Sequence, residues 1–126
     1  MTTPEFRAMA SDILDGKSTG FTVSPTTPSP VICGWAVGGE LPEVRVALTD
    51  TCDTTFLAAM LAGYAAMTPV NGALGGWVHD GHLYLDCPTI VTTSEADALA
   101  LAAERGELAI YNLNEGAEVT VPRAAA

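Results

Sequence analysis

Apolar side chains recur at helical spacing in three stretches and at every second position through most of the remainder. Phe6, Met9, Ala10, Ile13 and Leu14 form one stripe, which predicts a helix from about Pro4 to Asp15. Thr3 can cap it, Pro4 suits the first helical position and Gly16 suits the end. Phe56, Met60, Leu61, Tyr64 and Met67 mark the buried side of a second helix, about Asp50 to Met67, capped by Thr49 or Thr51 and stopped by Pro69. Ala58, Ala59, Ala62, Ala65 and Ala66 keep its surface small, and Asp50 and Asp53 suit its positive end. A third helix is expected from about Ser94 to Arg105, where Thr92 and Glu95 have capping-box spacing and Gly106 is a terminator.

The alternating stretches predict strands. Phe21 to Val23, Val31 to Val37 and Val44 to Leu48 read as a small meander, with a stiff loop at Pro25, Pro28 and Pro30 and a turn at Gly38 to Pro42. Leu74 to Cys87 reads as a hairpin about Asp80-Gly81, a pair that accepts the positive φ angles of a tight hairpin turn. Leu108 to Leu113 and Ala117 to Val121 form a second hairpin across Asn114-Glu115-Gly116. The order α-βββ-α-ββ-α-ββ predicts an α+β fold: an antiparallel sheet built from a meander and two hairpins, with three helices packed mainly on one face. With 126 residues the chain suits a single domain, 1–126. Helix 4–15 can lie on that domain or serve a partner, and residues 123–126 are expected to fray.

The first hairpin also carries the candidate site. Its turn pairs His79 with His82, Val78 with Leu83 and Trp77 with Tyr84. Alternation then places Trp77, His79, His82, Tyr84 and Asp86 on one face, and Val78, Leu83 and Leu85 on the other, the natural core face. Trp and Tyr are common binding anchors, so Trp77, His79, His82 and Tyr84 are the expected partner-binding patch. An alternative uses His79 and His82 as ligands of a divalent metal. Asp86 lies too far along the strand to join both, so a third ligand must come from elsewhere.

Composition narrows the function classes. Fifteen acids against five basic residues give a net charge of −10, Lys17 is the sole lysine and the four arginines are scattered. Phosphate neutralisation needs clustered Lys or Arg, so no nucleic-acid binding is expected. Such acidity favours solubility and steering toward basic partners. An acidic surface could also mimic DNA and inhibit a nucleic-acid enzyme, an alternative that requires one continuous acidic face. The acid pairs Glu40/Glu43, Asp50/Asp53, Glu104/Glu107 and Glu115/Glu118 are expected in turns or at helix ends.

Cys33, Cys52 and Cys87 are odd in number and far apart, which predicts free thiols in a reducing cytoplasm rather than a disulfide framework or zinc motif. Cys33 and Cys87 fall in strand patterns and are expected to be packed. Cys52 would feel a helix N-terminus, opposed by Asp50 and Asp53. Gly72 to Gly76 lacks the Lys-Ser/Thr of a phosphate loop and reads as a loop or bulge before Trp77. No catalytic set and no cofactor motif emerges. There is no signal-sequence pattern, and Phe56 to Met67 is too short an apolar run to cross a membrane.

Gly76-Trp77-Val78, Tyr84-Leu85-Asp86, the run Glu95 to Arg105, Leu108 to Leu113 and Gly116 together resemble uncharacterised small proteins of actinobacteria and actinobacteriophages. The loop at Thr26 to Pro30 lacks that group's glycine, and Asn112 stands where an acid is expected. The resemblance implies a phage or prophage accessory protein and transfers no catalytic residues. The expected function is that of a small non-enzymatic binding protein engaging a host or virion protein in the host cytoplasm. A homodimer through helix 4–15 or a sheet edge is compatible with it.

Overall fold

The Asp80-Gly81 turn sets the frame of the sheet. Asp80 (φ 50°) and Gly81 (φ 73°) both adopt left-handed backbone, as a two-residue turn matched to strand twist requires. Strands β3 (Leu74–His79) and β4 (His82–Val91) leave it in the expected register, with His79 opposite His82, Val78 opposite Leu83 and Trp77 opposite Tyr84. The computed structural model describes residues 2–25, 30–69 and 72–122. The expected frayed tail, 123–126, and positions 26–29 of the proline loop lie outside the described residues.

The remaining elements are α1 (Thr3–Leu14), β1 (Gly20–Val23), β2 (Trp35–Ala47), α2 (Thr54–Met67), α3 (Glu95–Arg105), β5 (Ala109–Asn112) and β6 (Ala117–Thr120). The strands form one curled antiparallel sheet in the order β1-β3-β4-β2-β5-β6, and the fold is α+β.

The meander expected over Gly20 to Leu48 is replaced by a different pairing. β1 lies beside β3, and the stretch expected as two strands with a turn at Gly38 to Pro42 is one strand, β2, running along β4. Its register jumps twice. The four steps from Val37 to Leu41 answer two on β4, and the three from Leu41 to Val44 answer two more. Bulges absorb what would otherwise be turn residues: Gly39 takes φ 93°, and Pro42, which has no N–H to give a ladder, sits within the irregular stretch. The Tyr64 hydroxyl donates to the Pro42 carbonyl at 3.0 Å and ties the bulge to α2.

Helices α1, α2 and α3 cover the same face. Val23, Val46, Leu74, Leu83, Leu85 and Cys87 project from the sheet into a core with Phe6, Ala10 and Ile13 of α1 and Leu57, Leu61 and Tyr64 of α2. Val37, Ile110 and Val121 meet Ala98 and Ala102 of α3 in a second cluster. Helix α2 is rotated from its expected orientation. Leu57, Ala58, Leu61, Tyr64 and Ala65 are buried, whereas Phe56 is 50% and Met67 60% exposed. Small alanines on this side let α1 approach, which favours packing Ala58 and Ala65 inward over the larger side chains.

The caps fall close to the predicted positions, on neighbouring oxygens. Thr2 and Glu5 form a reciprocal capping box on α1. Asp53 caps α2 at 2.8 Å from the Phe56 amide, while the Thr49 and Thr51 hydroxyls bond each other. Ser94, not Thr92, caps α3, and Gly106 closes it in left-handed conformation.

Arg105 then clamps α3 to the sheet. Its guanidinium donates to Glu40 Oε2 at 2.6 Å, Thr89 Oγ1 at 2.9 Å and the carbonyls of Val37 and Gly38 at 3.3 and 3.1 Å. Glu40 is thus paired on a strand rather than solvated in a turn. Arg105→Met keeps most of the stem and strips all four bonds. It is expected to lower stability by about 1–3 kcal/mol in chemical denaturation, with part regained on adding Glu40→Gln, because much of the loss is an unpaired carboxylate.

Candidate functional site

The other face of the sheet carries no helix among the described residues. The strand alternation that sends Leu83, Leu85 and Cys87 into the core sends His82, Tyr84 and Asp86 the opposite way, with Trp77 and Gly75 beside them on β3. The same alternation places Ala36 of β2, Tyr111 of β5 and Glu118 of β6 on this face. The sheet curls about it, so that β1 at one end and β5 and β6 at the other border one groove of about 810 Å³. Thr22, Gly76, Trp77, Asp86, Glu107 and Tyr111 are among its lining residues.

Glycines shape this floor. Gly75 and Gly76 are strand residues, as the hairpin beginning at Leu74 predicts and unlike the loop or bulge expected over Gly72 to Gly76. A Cβ at residue 75 would overlap Asp86 Oδ1, and one at residue 76 would overlap the Phe21 ring, which crosses the strand on the core side. Gly75 therefore makes room for the Asp86 carboxyl and Gly76 for the Phe21 ring. Burial, followed by the charge of Glu43 and then that of Glu107, raises the Asp86 pKa to about 6, against the pull of a backbone hydrogen bond.

The four residues expected to form the patch divide. Trp77 lines the groove, and Tyr84 stacks on it with ring centroids 4.4 Å apart and planes 14° from parallel. His79 and His82 lie beyond, at the turn; His79 is 5.6 Å from Trp77 centre to centre, and His82 Nδ1 donates to the Asp80 carbonyl at 2.9 Å. Among the described residues, no three His, Cys, Asp or Glu side chains are grouped to hold a metal ion. The Trp77–Tyr84 stack also braces the hairpin. A double-mutant cycle with Trp77→Ala and Tyr84→Ala is expected to return a coupling of about 0.5–1.5 kcal/mol; additive losses would show the rings merely adjacent.

The two buried thiols, Cys52 and Cys87, are held toward the protonated form. Cys52 is buried, and its pKa is raised by burial and then by Asp53. Burial likewise raises that of Cys87. Cys33, expected to be packed, is exposed because β2 begins only at Trp35, after Gly34 turns the chain with φ 88°.

Alternation alone places Asp86 on this face, but its burial and its neighbours Glu107, Tyr111 and Glu118 come from the curl of the sheet. One local signal is present in the sequence: counting outward from Asp80-Gly81 sets Asp86 opposite Gly75, a carboxyl facing a residue with no side chain. The buried Asn112 has a local role, since its Oδ1 accepts from the amides of Asn114 and Glu115 at 2.9 and 3.2 Å and shapes the β5–β6 turn. Among the described residues no helix is long and apolar enough to cross a membrane. Comparison of the chain with protein-family models, curated proteins and solved structures finds no match.

Proposed function

We propose that this chain is a small non-enzymatic binding protein, encoded by a phage or prophage and acting in the host cytoplasm, that engages a host or virion protein through the open face of its sheet. The observation behind this reading is a concave sheet face that no helix covers among the described residues, with the Trp77–Tyr84 stack at one side and Tyr111 at the other. Trp77 and Tyr111 are each 44% exposed. Large aromatic side chains held rigid at the rim of a concavity are the anchors protein interfaces favour. Trp77, Tyr84, His79 and His82 form one end of the surface, and the groove extends it toward β6.

Affinity capture from an actinobacterial lysate tests this reading. The wild-type chain is expected to retain a defined partner, and Trp77→Ala/Tyr111→Ala to lose it. Phe56→Ser, on the exposed side of α2, should retain it. Equal capture by the wild type and the aromatic double variant would refute the assignment of the open face.

A further inference from the structure

With the open face as the partner surface, the chemistry of the groove specifies what can enter it. Asp86, Glu107 and Glu118 line it, and among the described residues no Lys, Arg or His does. Two of these carboxylates are seated over glycines. Asp86 lies over Gly75, and Glu107 lies over Gly38 and Gly39, where an added Cβ would come within 3.3 and 2.8 Å of its Oε1. The neighbouring guanidinium, Arg105, is engaged by Glu40, Thr89 and two carbonyls. The groove thus holds negative charge without a cation from its own lining, beside an indole face that suits a cation and its aliphatic stem.

We propose, resting on the reading of the open face as the partner surface, that the groove binds an extended segment of the partner polypeptide bearing a lysine or arginine. The cationic head pairs with Asp86 and Glu107 while its stem lies along Trp77. Charge complementarity identifies this occupant. A second copy of the chain brings net charge −10 against an acidic face and is disfavoured by repulsion. The volume of about 810 Å³, bordered by β1 at one end and β6 at the other, exceeds what a single ammonium group fills and suits several residues of chain.

The test is an amide chemical-shift titration of the ¹⁵N-labelled full chain near physiological salt, where weak surface attraction is screened. The probes are a short capped peptide of serine and threonine with one central lysine, the same peptide with glutamine in that place, and agmatine. The lysine peptide is expected to give saturable shifts centred on Gly75, Trp77, Asp86 and Tyr111, with affinity falling at least tenfold in Asp86→Asn/Glu107→Gln. Asp12→Asn/Asp15→Asn, on and beside α1, should leave that affinity unchanged. Equal binding of the glutamine peptide, unsaturable shifts spread over all the acids, or agmatine binding as tightly as the peptide would each overturn the proposal. Capture of the natural partner separates the two readings. If Asp86→Asn/Glu107→Gln retains it and Trp77→Ala/Tyr111→Ala loses it, the cationic segment is wrong and the partner surface stands. If both variants retain it, the partner surface itself is wrong.

Discussion

Asp86→Asn is expected to make the protein more stable at neutral pH. The Asp86 carboxyl titrates at about 6 in the fold against 3.8 for the ordinary group. Its folded pKa is raised, so the native state holds this proton more tightly than the unfolded chain does. The penalty is absent below the unfolded value, grows as pH climbs from about 4 to 6, and is complete above that window. At 1.36 kcal/mol per tenfold in proton affinity it amounts to about 3 kcal/mol at pH 7. Asparagine has nearly the same shape and no charge to desolvate, but its amide must still find partners. The expected gain is therefore about 1–3 kcal/mol, or roughly 5 °C and more in Tm. Parallel melts of wild type and variant from pH 4 to 8 check this. The gain should be largest at pH 7–8 and should shrink toward pH 4, where the wild-type carboxyl is neutral. An unchanged difference across that range would mean that Asp86 ionises without penalty.

Leu85→Ala is expected to show the opposite sign, a loss of about 3–5 kcal/mol. Leu85 is completely buried on β4, the strand that pairs with both β3 and β2, and faces α1 and α2. Truncating a buried leucine loses both the transfer free energy of the removed methyl groups and the contacts around the cavity left behind. Collapse into that cavity is restricted from one side. The cross-strand neighbour is Gly76, which has no side chain to swing in, and the space above it is already held by the Phe21 ring. The loss should fall in the upper part of the leucine-to-alanine range. Urea unfolding monitored by Trp fluorescence measures it; a loss below about 1.5 kcal/mol would show that the surrounding core readily closes the gap.

What is legible in the sequence is local. The Asp80-Gly81 pair determines its own turn, and from the turn the register and faces of the hairpin, because the left-handed conformations it requires depend on those two residues alone. The three helices and the second hairpin rest on equally short-range signals. Elsewhere local chemistry is overruled by distant partners. Gly38-Gly39 and Pro42 have turn character, yet β4 and Tyr64 hold the stretch straight enough to remain one bulged strand. Gly75-Gly76 looks like a loop until an aspartate and a phenylalanine from other strands occupy the missing side-chain volumes. Likewise, the groove draws its lining from β1, β2, β3, β4, β5 and β6, and no spacing along the chain foretells which strands the curl sets face to face.

The strand order has a consequence for how the chain comes together during synthesis. Among the described residues up to 69, β1 has only a single bridge, Val23 to Pro30, and β2 has no strand partner; the ladder of β1 waits for β3, and that of β2 for β4 and β5. As the chain emerges from the ribosome, α1 and α2 can meet first, while two ladders of backbone donors and acceptors stay open. The β3–β4 hairpin, closed by its two-residue turn, is the first part of the sheet able to form alone, and both earlier strands then add to its two sides. The ladders of the sheet therefore cannot form before residues 74–91 are made, and a chain arrested before them presents largely unpaired β-forming segments to its neighbours, the condition in which nascent proteins aggregate.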